Sequence, residues 1–343
     1  MYRAFDRSQL KVLPLREREH LLDLSVFPSL SEPPPELPSE FEHALKRTAA
    51  KIREAKAAGR AVILSMGAHV IRRGLACHIV DLARRGFITH VATNGACAIH
   101  DFEFALIGAT TESVAQYIRE GQFGLWEETG RGVNLALREA AREGIGAGEA
   151  LGRMIAEDLY GFSFPYKEKS LFAGLWRLGV PATVHIAIGQ DIIHEHPSCD
   201  GAALGASSYR DFLVFTASME RLGGGVFMNF GSQVMGPEVY LKALAMVRNA
   251  AKQRGELIAD FLVLNSDLVR LSDPHRVGTP DDPHYYYRPK KTLLVRSLER
   301  GCESYHVSAD HRVSFLNLYR FLVGEGKAPG AQGGGEGENR GGS

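Results

Sequence analysis

Residues 61–108 read AVILSMGAHVIRRGLACHIVDLARRGFITHVATNGACAIHDFEFALIG. The apolar run Ala61 to Leu64 predicts a buried strand, which breaks at the small-residue turn Ser65-Met66-Gly67-Ala68-His69. A helix is predicted next, with Leu75, Ile79, Leu82 and Ala83 on one face and Gly86 as its stop. A second strand, Ile88 to Thr93, breaks at Asn94-Gly95-Ala96-Cys97. This is a βαβ unit with both turns at the carboxyl ends of their strands. In open parallel sheets ligands bind along that edge. Small residues there let a ligand approach the backbone, and they serve equally well in plain tight turns.

Upstream, residues 1–38 form a mixed arm that ends in FPSLSEPPPELP, an extended segment poorly suited to a core. Ser39 is expected as an N-cap, with Glu42 completing a capping box. The following helix carries Phe41, Leu45, Ile52 and Ala55 on one face and stops at Gly59. Downstream, a mostly helical stretch to about residue 158 is expected as an insertion or lid over the sheet edge. A helix over 168–178 is closed by Gly179, and a strand from Ala182 to Ile188 ends at Gly189-Gln190-Asp191. Then come a helix from Tyr209 to Leu222, Gly223-Gly224-Gly225, the strand VFMNF, and a helix with Pro237 in its first turn. A strand from Leu257 to Leu264 ends at Asn265-Ser266-Asp267. A loop over 268–288, a strand from Ser304 to Val307 and a helix from His311 to Val323 complete the pattern. Sustained alternation of this kind predicts a doubly wound, mostly parallel α/β sheet. The chain divides into the arm (1–38), one α/β domain (39–323) and a glycine-rich tail (324–343) expected to be disordered.

Composition narrows the function classes. The 343 residues carry no net formal charge, so no nucleic-acid partner is implied. Cys77, Cys97, Cys199 and Cys302 form no CxxC pair, which suits a reducing, cytoplasmic setting. No signal peptide and no membrane span are expected, since no run approaches the ~18 apolar residues a span needs.

Several clusters carry chemistry. The glycines at 223–225 could cradle a pyrophosphate or simply lead into a strand beneath a close helix; GxGxxG is missing. His194-Glu195-His196 with Cys199 and Asp200 has a metal-like composition but matches no closed zinc spacing, so no metal is assigned. Cys97, His100 and Asp101 end the second strand, where an imidazole could activate the thiol or the cysteine could merely fill space. Tyr285-Tyr286-Tyr287-Arg288 with Lys290 and Lys291 is either an anion clamp or a solvated basic loop end.

In order and spacing, roughly residues 60–320 resemble deoxyhypusine synthase and its bacterial relatives. The resemblance rests on VILSMGAHVIRRG, on ATNGACAIHD with Thr93 and Asp101, on Leu222 to Val226, and on Arg288-Pro289 followed by Ala309-Asp310. It implies a Rossmann-like, NAD-binding fold and homo-oligomers, dimers or tetramers, with sites near subunit interfaces. It implies that Gly67, Ala68, His69, Thr93, Asn94, Gly95, Gly223, Gly224, Gly225 and Asp310 line the NAD site, with Asn229, Gln233 and Lys291 on the substrate. The family's catalytic lysine, which carries an aminobutyl group as an imine, falls on Ser297, and its tryptophan falls on Val295. Acids fall on Lys291, His194 and His100, and a histidine falls on Asn229. Serine cannot form an imine, and exchanging carboxylates for Lys and His turns the pocket from cations towards anions. The expectation is an NAD-dependent oxidoreductase or transferase on a small non-polyamine substrate, with His100, Asp101 and His194 moving protons. The alternatives are a non-catalytic nucleotide-binding scaffold, and a divergent polyamine transferase that uses Lys290 or Lys291.

Overall fold

A computed structural model describes residues 2–297 and 301–324. Six strands form one parallel sheet: β1 (Val62–Met66), β2 (His90–Asn94), β3 (Ala182–His185), β4 (Val226–Phe230), β5 (Leu262–Asp267) and β6 (Glu303–Ser308). In space they run β3-β2-β1-β4-β5-β6, every pair parallel. This 3-2-1-4-5-6 order is that of dinucleotide-binding sheets, with the reversal between β1 and β4. The fold is the doubly wound α/β architecture expected.

Alternate strand residues feed two cores, as the pleat requires. Val62, Leu64, Val226, Met228 and Leu264 face one core, with α1 (Ser39–Ala57), α3 (Ala76–Arg84), α4 (Gly95–Ile107) and α11 (His311–Val323). Ile63, Phe227 and Val263 face the other, with α9 (Gly201–Met219), α10 (Met235–Gln253) and a π-helix, Pro289–Val295. A short α2 (Ala68–Arg72) separates β1 from α3. Gly74 ends it at φ +74° and lies so close to the Val26 backbone that no side chain fits there. The arm is thereby held against the domain, and Leu22–Asp23 pairs antiparallel with Ala109–Thr110.

Some local expectations change. Helix α1 takes Pro38 as its N-cap, with Ser39 already helical and no side-chain cap bond. Helix α9 begins eight residues before Tyr209, because the Asp200 side chain accepts from the amides of Ala202 and Ala203. Strand β3 ends at His185 rather than Ile188. The stretch after Gly108 is no lid. Val133 and Leu137 of α6 (Glu127–Glu143) and Leu151 and Met154 of α7 (Ala147–Glu157) join the first core, and Gly148 lies on the Ala182 backbone of edge strand β3. The tail beyond Gly324 lies outside the described residues. No helix among the described residues is long and apolar enough to cross a membrane.

Candidate functional site

At the reversal point the turns after β1 and β4 touch. The Gly67 amide donates to Phe230 O at 2.9 Å, and a Cβ on Gly67 would stand 2.6 Å from Gly231 O. Beside them three side-chain oxygens converge on Gly236, at the start of α10. A Cβ there would lie 2.5 Å from Ser65 Oγ, 2.8 Å from Asn229 Oδ1 and 3.0 Å from Ser232 Oγ. Ser232 Oγ is engaged by the Gly236 amide at 2.8 Å. Asn229 donates through Nδ2 to Ser232 O and to Asn265 Oδ1, but its own Oδ1 is buried without a donor. A cleft of about 10 Å³, room for one water, opens here between Ser65, Thr93, Asn94, His185, Ser232 and Gly236. His185, Met235 and Val239 also line a neighbouring groove of about 280 Å³, walled by Ile186, Ile188, Tyr209 and Phe212.

One titratable group, His185, lines this cleft, and a second, Asp191, lies just beyond it against Gly95. Register pairs Asn94 with His185, and Asp191 lies against Gly95 so closely that a Cβ would strike its carboxylate. Burial pushes the Asp191 carboxyl up to about 6, although its side chain caps the Ile192–His194 turn in a capping box with His194. A carboxyl poised near neutrality can give or take a proton. Burial draws His185 down to about 4, so it is a neutral imidazole. Its Nε2 lies 3.1 Å from Thr183 Oγ1, which is 3.0 Å from His90 Nε2; His90 Nδ1 meets Ser218 Oγ at 2.8 Å. This chain fixes the ring that lines the cleft.

Further along the edge, Asn265 donates to His306 Nδ1 at 3.0 Å, and Tyr287 donates to Asp267 at 2.7 Å. Gln233 donates to the same carboxylate at 3.2 Å. Asp310 accepts from the Arg312 amide as the cap of α11 and pairs with Arg73 at 2.8 Å.

The structure sorts the sequence candidates. Gly67, Ala68, His69, Thr93, Asn94, Gly95, Asn229, Gln233 and Asp310 all lie at or beside the carboxyl ends of strands. Gly223, Gly224 and Gly225 do not. They precede β4 and therefore sit at the amino edge, where Gly224 donates to Ala259 O and Gly225 to Leu222 O. They are a lead-in to the strand. Asp101 also leaves the site: Ser170 Oγ donates to it at 2.5 Å, and the amides of Leu171 and Phe172 at 2.6 and 3.3 Å. It holds the start of α8 (Leu171–Arg177), and burial pushes its carboxyl to about 6 against those bonds. His100 Nδ1 is tied to Thr110 Oγ1, in the short strand just after α4, at 2.7 Å, and burial draws it to about 4. His194 accepts two amides, from Gly189 and Asp191, on Nδ1, so the proton stays on Nε2, which is buried without a partner. It is a fixed donor, not a base.

His194 and His196 do not share a strand face as His-x-His would. Ile192–His194 is a 3₁₀ turn, and His196 bonds Ser198 Oγ at 2.7 Å. No group of three His, Cys, Asp or Glu among the described residues could hold an ion. Cys97 is buried and its thiol pushed up to about 12, which disfavours a nucleophilic thiolate. Lys291 Nζ lies 4.2 Å from the Tyr285 ring centre, and buried Lys290 pairs with Asp282 at 2.6 Å. Ser297 is buried and donates back to Leu293 O. Asp191 and His185 were legible only as polar residues near a strand end.

No family model matches the sequence, and no curated protein matches it. Among solved structures the chain is similar to ArgZ, an arginine dihydrolase from the ornithine–ammonia cycle in cyanobacteria, at 16% identity and TM-score 0.46, over 82% of this chain and 33% of that one. It is similar to AgrE in complex with ornithine and NAD+, at 15% identity and TM-score 0.46, over 84% and 34%. A chain described as a deoxyhypusine synthase, from Entamoeba histolytica, matches at 9% identity and TM-score 0.41, over 87% and 85%. The chain spans about a third of the length of ArgZ and AgrE. At these values nothing of activity or substrate passes from them to this protein.

Proposed function

We propose that the chain binds NAD(H) along the carboxyl edge and acts as an NAD-dependent oxidoreductase or transferase on a small substrate other than a polyamine. The carrying observation is the 3-2-1-4-5-6 strand order, whose reversal coincides with the oxygen cradle at Gly236. The residues fit such a cofactor. The orphaned Asn229 Oδ1 calls for a donor, which a carboxamide or a ribose hydroxyl supplies. The 280 Å³ groove takes a ring rather than a whole dinucleotide, leaving the remainder to lie over Gly67–His69 and Thr93–Gly95. Bound there, the cofactor supplies a hydride acceptor or donor. The protein's own part is to orient it, to keep apolar walls around the ring, and to move a proton at the Asp191 carboxylate. His185 stays neutral and positions the substrate.

A non-polyamine substrate is favoured by the lysines. Ser297 offers no amine, Lys290 is paired with Asp282, and Lys291 lies against Tyr285. Assembly as a dimer or tetramer belongs to the same reading and is checked by light scattering. Calorimetry with NAD+ and NADH tests the core claim. Saturable heat is expected, weakened at least about tenfold (~1.4 kcal/mol) in Gly236→Ala, which fills the cradle. Absence of heat and of any thermal shift at millimolar cofactor would reject it.

A further inference from the structure

Arg72 closes α2, about 6 Å along the helix axis from the turn after β1. Three guanidinium groups lie around this corner of the edge. Arg18 pairs with Glu103 and Arg73 with Asp310. Arg72 has no carboxylate among the described residues. Its Nη1 lies 3.4 Å from His69 Nε2, and its Nε is buried with no acceptor at all. The other titratable groups acting here add no counter-ion. His69 and His100 are both drawn towards the neutral form by burial and by neighbouring arginines. Asp267 reaches His69 electrostatically, but Tyr287, Gln233 and the Leu268 amide already occupy its oxygens. A half-buried cation with an empty donor is costly, and here burial alone draws Arg72 down without any acid to oppose it.

We infer that Arg72, with His69 beside it, is the seat of an anionic group, a phosphate or a carboxylate, of a bound ligand. The planar guanidinium presents Nε and Nη as a two-pronged donor, the geometry that phosphate and carboxylate oxygens match. The inference rests on the carboxyl edge being the binding edge, and it specifies the charge of what binds. The anion has two sources: the cofactor's pyrophosphate, or an acidic group of the substrate.

The test uses inorganic phosphate and acetate, compared with chloride at equal ionic strength, on the full chain and on Arg72→Gln. Phosphate or acetate is expected to raise the melting temperature of the wild type beyond chloride and to leave Arg72→Gln unmoved. Calorimetry should show at least a tenfold weaker anion in the variant, with Arg72→Lys between. Ligand-free Arg72→Gln should melt at or above wild type, since it loses an unpaired half-buried charge; a merely structural arginine would give a lower melt. Repeating the titration with saturating NAD+ separates the sources: loss of the phosphate response assigns the seat to the cofactor, persistence assigns it to the substrate. An Arg72-dependent anion response without NAD binding keeps the seat and rejects the dinucleotide. Equal responses in both proteins, or NAD affinity untouched by Arg72→Gln with no anion response, overturns the inference.

Discussion

Two polar regions of this molecule differ in one respect. Around α4 and the arm every buried charge has its partners. Arg18 and Glu103, each about 1% exposed, form two hydrogen bonds at 2.7 and 2.8 Å, and Thr110 and Thr129 satisfy the remaining carboxylate positions. Burial pushes Glu103 up, but Arg18, His100 and Thr110 together outweigh it and hold the carboxyl below its ordinary range. Along the carboxyl edge partners are missing: Asn229 Oδ1, His194 Nε2 and Arg72 Nε have none. Satisfied networks specify a fold, while unsatisfied groups on a binding edge cost stability and await a ligand. Asp101 and Asp191 make the contrast sharpest. Both are pushed to about 6 by burial, yet one is held by three donors at the start of a distant helix and the other only caps the short turn that follows it.

Breaking the satisfied region should cost most. Glu103→Ala strands Arg18 in the interior and should lower unfolding stability by about 3–5 kcal/mol, read by urea denaturation. Asp101→Ala strands Ser170 and the amides of Leu171 and Phe172; about 3 kcal/mol is expected, with NAD affinity per folded molecule unchanged. A loss of affinity without a loss of stability would return Asp101 to the site.

The edge should respond oppositely. The Asp191 carboxyl lies above its ordinary 3.8, so its contribution to stability is present below about pH 4 and is lost as pH rises through about 6. Asp191→Asn removes that loss. It should exceed wild type by about 2 kcal/mol above pH 6, the two converging below pH 4, in melts across pH. Parallel stability curves would mean that Asp191 is solvated or paired.

The fold was legible because apolar periodicity marks parallel strands and their helices, and runs such as Ala61–Leu64 and VFMNF mark strands directly, although the strand expected over 257–264 lies at Leu262–Asp267 and takes in Asn265-Ser266-Asp267, expected as its turn. Strand order was not, since it depends on crossovers that no local pattern encodes. The glycines at 223–225 were assigned to the wrong edge although the direction of the following strand was readable. Asp101 looked reactive beside His100 because its true partner, the start of α8, lies some 70 residues away. Asp191 and His185 gain their character only from burial, which a single sequence leaves open. The one-sided charge of the corner at Arg72 was also hidden, since it depends on which arginines Glu103 and Asp310 take.

The central claim is that the binding edge is the carboxyl edge at the β1–β4 reversal. Amide hydrogen exchange with and without NAD+ tests it most directly. Protection is predicted at residues 65–69, 93–97 and 229–236, with none at 223–225 or at 168–172. Protection at the three glycines, or none anywhere at saturating NAD+, would contradict it.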